Sequence, residues 1–175
     1  GWEWLIEMGF PAANIVVAGD SAGGNLALQL VAHLERTRAP MPAGVVLLSP
    51  WVDLDFTDMT ERDRARKDPF LALGLAELCR RQYAPGVDPD DPAISPINYE
   101  PSPDWPPFLI QAGGQEIFRG GIERMAENFA EHGVRHEFQL WPDQFHVFQV
   151  FHPLVPEARG AGRDIGSFAP GGPGP

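Results

Sequence analysis

The amino-acid sequence predicts an α/β fold on a mostly parallel sheet, and three observations carry that reading. A short apolar run rich in β-branched residues, Asn14-Ile15-Val16-Val17-Ala18, leads into the small-residue turn Gly19-Asp20-Ser21-Ala22-Gly23-Gly24. An almost wholly apolar stretch, Leu26 to Leu34, follows, so the segment reads as buried strand, sharp turn, buried helix. A second buried run, Gly44-Val45-Val46-Leu47-Leu48-Ser49, completes a right-handed strand–helix–strand crossover. A third, Phe108-Leu109-Ile110-Gln111-Ala112, has the same character.

In chain order, a helix over 2–8 ends at Gly9, with Pro11 beyond it. The helix after the turn reaches about Arg38 and is stopped by Pro40 and Pro42. Residues 50–107 change character: acidic residues, arginines and many prolines surround one helical stretch, about Leu71 to Tyr83. This reads as a cap-like excursion from the sheet, and the mixed-sign run Glu61 to Asp68 reads as a solvated face. After the third strand, Gly113-Gly114 makes a turn, and a helix over about 121–131 carries Ile122, Met125, Ala126 and Phe129 on one face. Arg135 to Trp141 alternates as a strand nearer the sheet edge, and Pro142 to His146 forms a loop. A last helix spans about Pro156 to Phe168, closing a domain of residues 1–168. The tail 169–175, almost all Pro and Gly, is expected to be disordered.

The composition limits the partners. In 175 residues, 13 Lys and Arg stand against 24 Asp and Glu, a net charge of −11, which argues against nucleic acid and anionic membranes. No apolar run is long enough to span a bilayer, so no stable membrane insertion is expected. The lone Cys79 reads as a small buried hydrophobe and fits a reducing, cytoplasmic setting.

The turn at 19–23 has the Gly-x-Ser-x-Gly pattern of a nucleophile elbow, which holds a serine hydroxyl out at the carboxyl end of a sheet. Alone, the same turn could equally cradle a phosphate at the helix N-terminus. A serine needs a base, and the base needs a carboxylate that fixes its tautomer. Among the five histidines, His33 lies within a helix, His132 at a helix end, His136 inside a strand, and His152 before Pro153. Only His146 lies in a loop directly after a strand. His132 and His136 fall in different elements on either side of Gly133, which argues against a metal pair. Glu116 follows the third strand, where the acid belongs in the chain order Ser, Asp/Glu, His. Asp143 is the rival acid, but it sits only three residues before the base and reads better as a turn residue. The N–H of Ala22, at the helix N-terminus, is the candidate oxyanion donor. Pocket candidates are Asp20, Trp51, Phe70 and Leu71.

Several segments together resemble the hormone-sensitive-lipase-like family of α/β-hydrolase esterases. These are Gly19 to Gly24, Leu48-Ser49-Pro50-Trp51-Val52-Asp53-Leu54, Asp91-Pro92-Ala93-Ile94-Ser95-Pro96, Gln111 to Phe118, and His146-Val147-Phe148. The resemblance covers roughly residues 1–168. It implies the C-terminal part of an α/β-hydrolase fold with a partial cap. It also implies hydrolysis of small, apolar acyl esters through a Ser21–His146–Glu116 triad and an acyl-serine intermediate, with no metal or organic cofactor. Two departures stand out: the acid is Glu116, where many members carry Asp, and no His-Gly-Gly-Gly segment precedes the elbow. The chain also opens inside a predicted helix, with the serine only at position 21, and is therefore expected to be part of a longer protein. An inactive fragment, a small-molecule-binding protein on the same scaffold and an acyl transferase remain open as alternatives; the oligomeric state is not legible.

Overall fold

The computed structural model describes residues 1–56, 59 and 68–168. The tail 169–175 and most of the charged run 61–68 lie outside the described residues.

Four strands, β1 (Val16–Asp20), β2 (Gly44–Leu48), β3 (Phe108–Gly113) and β4 (His136–Trp141), pair in sequence order, and every pairing is parallel. Parallel neighbours need crossovers that cover the faces of the sheet. Those crossovers are α2 (Ala22–Thr37) between β1 and β2, the excursion 50–107 between β2 and β3, and α4 (Arg119–Glu131) between β3 and β4. Helix α1 (Trp2–Glu7) precedes β1, α3 (Leu73–Tyr83) lies within the excursion, and α5 (Pro156–Phe168) closes the described chain.

The core follows from the apolar runs. Val45, Val46 and Leu47 of β2 and Phe108, Leu109 and Ile110 of β3 are fully buried, because each of these strands has a neighbour on both sides and helices on its faces. Ile122, Met125 and Phe129 of α4 and Ala27, Leu28 and Val31 of α2 pack against the sheet from the stripe expected of amphipathic helices. The buried amide of Gln111 in β3 donates to Gln139 Oε1 at 2.8 Å and to the Ala161 carbonyl at 3.1 Å, and so ties α5 to the sheet.

Three sequence expectations change. β1 is half-buried rather than buried, with Ala18 and Asp20 exposed, because among the described residues it has a sheet neighbour only on the β2 side. Cys79 is exposed rather than buried, on a helix, α3, that buries only Ala76. Asp68, the one described residue of the mixed-sign run 61–68, is buried rather than solvated.

Candidate active site

In a parallel sheet the loops that follow the strands emerge at one edge, and three such loops meet here. The first is the turn after β1. Ser21 has φ 51° and ψ −118°, a conformation costly for a residue with a side chain, and it opens α2 as the N-cap. Its backbone is held firmly: the Ser21 N–H donates to the Leu48 carbonyl at 2.9 Å, and the Trp51 N–H donates to the Ser21 carbonyl at 2.9 Å. A Cβ on Gly19 would lie 2.2 Å from the Gly23 carbonyl oxygen, so the strand and the helix start can pass only with glycine there. Ala22 is the first residue of α2, where the helix N–H groups have no intrahelical acceptor.

The second loop follows β3 and carries Glu116, which is fully buried. Burial pushes its carboxyl above the ordinary carboxylate range; the neighbouring His146, the Ser49 side chain and the Gly113 N–H oppose that rise. The third loop follows β4 and carries His146. These two loops are pressed together: Gly114 donates to the Trp141 carbonyl at 2.7 Å and Gln115 to the Gln144 carbonyl at 2.9 Å. A Cβ on Gly114 would lie 2.1 Å from the Pro142 oxygen.

The result brings Ser21, His146 and Glu116 together. His146 Nε2 lies 3.0 Å from Ser21 Oγ, and His146 Nδ1 lies 3.7 Å from Glu116 Oε2. The first separation is a hydrogen bond; the second is an ion-pair distance. The imidazole is buried and set edge-on to Phe118, with ring centroids 5.0 Å apart, and Phe118 in turn stacks on Trp51. A hydroxyl, an imidazole and a buried carboxylate in this order can move a proton off the serine and stabilise the resulting cation. Asp143 is exposed, and its backbone carbonyl accepts from the Gln115 side chain at 3.2 Å.

A mostly apolar pocket of about 190 Å³ is lined by Ala22, Asn25, Leu26, Trp51, Leu54, Cys79 and Tyr83. Of the four pocket residues named from sequence, Trp51 lines this one. Asp20 is exposed on the β1 turn, Phe70 packs on Phe145 and Phe151, and Leu71 rests half-buried against the main core. A larger hollow, about 620 Å³, lies between α1 and the far half of α2 around His33 and Thr37, roughly 18 Å along the helix from Ser21.

Sequence reading missed Ser49 as a site residue. It is fully buried at the end of β2 with φ 47°, and its hydroxyl accepts from the Val147 N–H at 3.0 Å. Val147, beside the base, also has positive φ (53°), a strained state for a β-branched residue that this bond helps to hold. The one sequence signal was position: Ser49-Pro50 ends a buried strand at the same edge as Ser21. Among the described residues no three His, Cys, Asp or Glu side chains are grouped to hold a metal. His132 and His136 each pair a ring nitrogen with a backbone carbonyl at 2.9 Å.

Comparison with known proteins gives a consistent picture. Residues 1–150 match a family described as having the alpha/beta hydrolase fold. The chain is similar to an acetyl-hydrolase of Streptomyces hygroscopicus, 33% identical over 95% of this chain and 56% of that protein. It is similar to the carboxylesterase/phospholipase LipF of Mycobacterium tuberculosis, 35% identical over 95% of this chain and 46% of that protein. Among solved structures it is similar to an esterase of the bacterial hormone-sensitive lipase family, with a TM-score of 0.88 and 31% identity, covering 96% of this chain and 56% of the other. The chain spans about half the length of the curated relatives it matches.

Proposed function

The chain belongs to the alpha/beta hydrolase fold family, and on that premise we propose that it is the part of a carboxylic ester hydrolase that carries a Ser21–His146–Glu116 triad. The single observation that carries the reading is the 3.0 Å contact between Ser21 Oγ and His146 Nε2, made by residues 125 apart in sequence. The buried Glu116 carboxylate facing Nδ1 supports it, because a carboxylate there favours the tautomer with its proton on Nδ1 and leaves Nε2 free to accept.

In this reading Ser21 Oγ attacks the ester carbonyl while His146 takes the hydroxyl proton. The carbonyl oxygen becomes an oxyanion that the Ala22 N–H stabilises at the start of α2. Collapse breaks the carbon–oxygen bond to the alcohol, and His146 delivers its proton to that alcohol. Water, activated by the same imidazole, then releases the acid and restores Ser21. Substrates are small esters with an apolar acyl group, as the size and lining of the pocket that includes Ala22 suggest. The excursion 50–107 serves as a partial cap, since Cys79 and Tyr83 of α3 line that pocket. Among the described residues no helix is long and apolar enough to cross a membrane; with a single cysteine in the chain, the cytoplasm is the proposed location.

The test is covalent. A fluorophosphonate probe is expected to label Ser21, identified by mass spectrometry of the modified peptide, and Ser21→Ala is expected to abolish labelling. Labelling that persists in the Ala variant would remove Ser21 from the mechanism.

A further inference from the structure

The charged run that reads as solvent-facing ends in a carboxylate that has a different place. Asp68 is 7% exposed, and three backbone N–H groups satisfy its two oxygens. Oδ1 accepts from Phe70 at 2.8 Å and Leu71 at 3.1 Å, within its own segment. Oδ2 accepts from Ile117 at 3.2 Å, 49 residues away. Ile117 immediately follows Glu116, so the second oxygen lands on the turn that presents the acid.

The other oxygen is linked to the base loop only through Phe70. By holding the Phe70 N–H it fixes the start of a segment whose ring packs on Phe145, with centroids 5.8 Å apart, and on Phe151 at the same separation. Phe145 immediately precedes His146. Asp68 therefore ties the segment 68–71 directly to the acid turn and, through the Phe70 ring, indirectly to the base loop. The acid turn is clamped on one side by the base loop, through Gly114 and Gln115, and on the other by Asp68.

We propose that Asp68 is a positioning residue for the triad, a latch through which the segment 68–71 holds the turn of Glu116 and, by way of Phe70, the loop of His146 in place. The proposal rests on the Ser–His–Glu reading given above. Asp68 touches no reacting atom; it acts by fixing the backbone at Ile117 and Phe70. The alternative is a carboxylate that only stabilises the fold.

The two roles separate in the kinetics of fluorophosphonate labelling of the full chain at saturating probe. The first-order constant kinact describes the chemistry at each folded site, whereas a loss of folded protein lowers the labelled amplitude and leaves kinact unchanged. Asp68→Ala is expected to lower kinact about tenfold with KI changed less than about twofold, the pattern of a misplaced catalytic group. Asp68→Asn keeps one acceptor oxygen and is expected to lose only about threefold. A kinact equal to wild type in Asp68→Ala, whatever the amplitude, overturns the latch. If the Ala variant does not fold, a wild-type kinact in Asp68→Asn overturns it equally. Glu116→Gln is measured alongside. If it retains wild-type kinact, or if the native chain is not labelled, the triad reading and the latch fall together. If it loses kinact while both Asp68 variants keep theirs, the latch alone falls.

Discussion

The 3.7 Å between His146 Nδ1 and Glu116 Oε2 is the loosest contact in the set. Among the described residues Nδ1 has no hydrogen-bond partner, and Glu116 is the carboxylate that faces it. Burial raises the Glu116 carboxyl above its unfolded value, so its ionised form is costly to the fold. A raised folded-state value means stability that is full below the unfolded value of about 4.5 and lost as pH rises through the folded one. Glu116→Gln removes that cost. It is expected to gain stability over wild type increasingly as pH rises from the ordinary carboxylate range to neutrality, read by urea unfolding at several pH values. The same change is expected to lose on the order of 10⁴ in kcat, as with removal of a triad acid's charge. Asp143→Asn, at an exposed position, is expected to lose far less. Ser21 and His146 were singled out in the sequence by their surroundings, a small-residue turn and a loop after a strand, and the structure sets their side chains 3.0 Å apart. Ser49 and Asp68 were not, since each serves a backbone N–H donated by a residue distant in the chain, at Val147 and Ile117.

At the scale of elements, the site depends on how closely two loops can approach. The turn after β3 and the loop after β4 meet backbone to backbone at Gly113 and Gly114. Gly114→Ala would drive a methyl into the Pro142 carbonyl, where no flexible side chain can yield. The expected cost is about 1–3 kcal/mol of stability, as for overpacking elsewhere, measured by urea denaturation. Labelling of Ser21 is expected to slow about 10²-fold as the acid and base separate. The strands were legible because β-branched and aliphatic runs bounded by Gly and Pro have few other uses, and Pro156–Phe168 is helical as expected. Cys79 was misread because periodicity reports that α3 is a helix but not which face meets protein; that helix buries only Ala76.

For the whole molecule, the sheet is assembled from neighbours: β1 on β2, β2 on β3, β3 on β4, each strand beside the next in the chain. The α/β class could be read from that repeating pattern. The half-exposed state of β1 could not, since a buried run and an edge strand can share one composition. The Ser21–His146 contact uses the opposite connection, joining the loop after β1 to the loop after β4 across 125 residues. This difference sets an order in time. Closing a long loop carries an entropic cost that must be met before the contact is made, whereas each strand can dock on the one before it. Ser21 and His146 are therefore expected to meet after the intervening strands have taken their places. In refolding from urea, far-ultraviolet circular dichroism is therefore expected to recover ahead of fluorophosphonate reactivity at Ser21. Simultaneous recovery would mean that Ser21 and His146 are already close before the sheet is complete. The shorter of the two contacts that His146 makes with Ser21 and Glu116 is thus the one expected to form last.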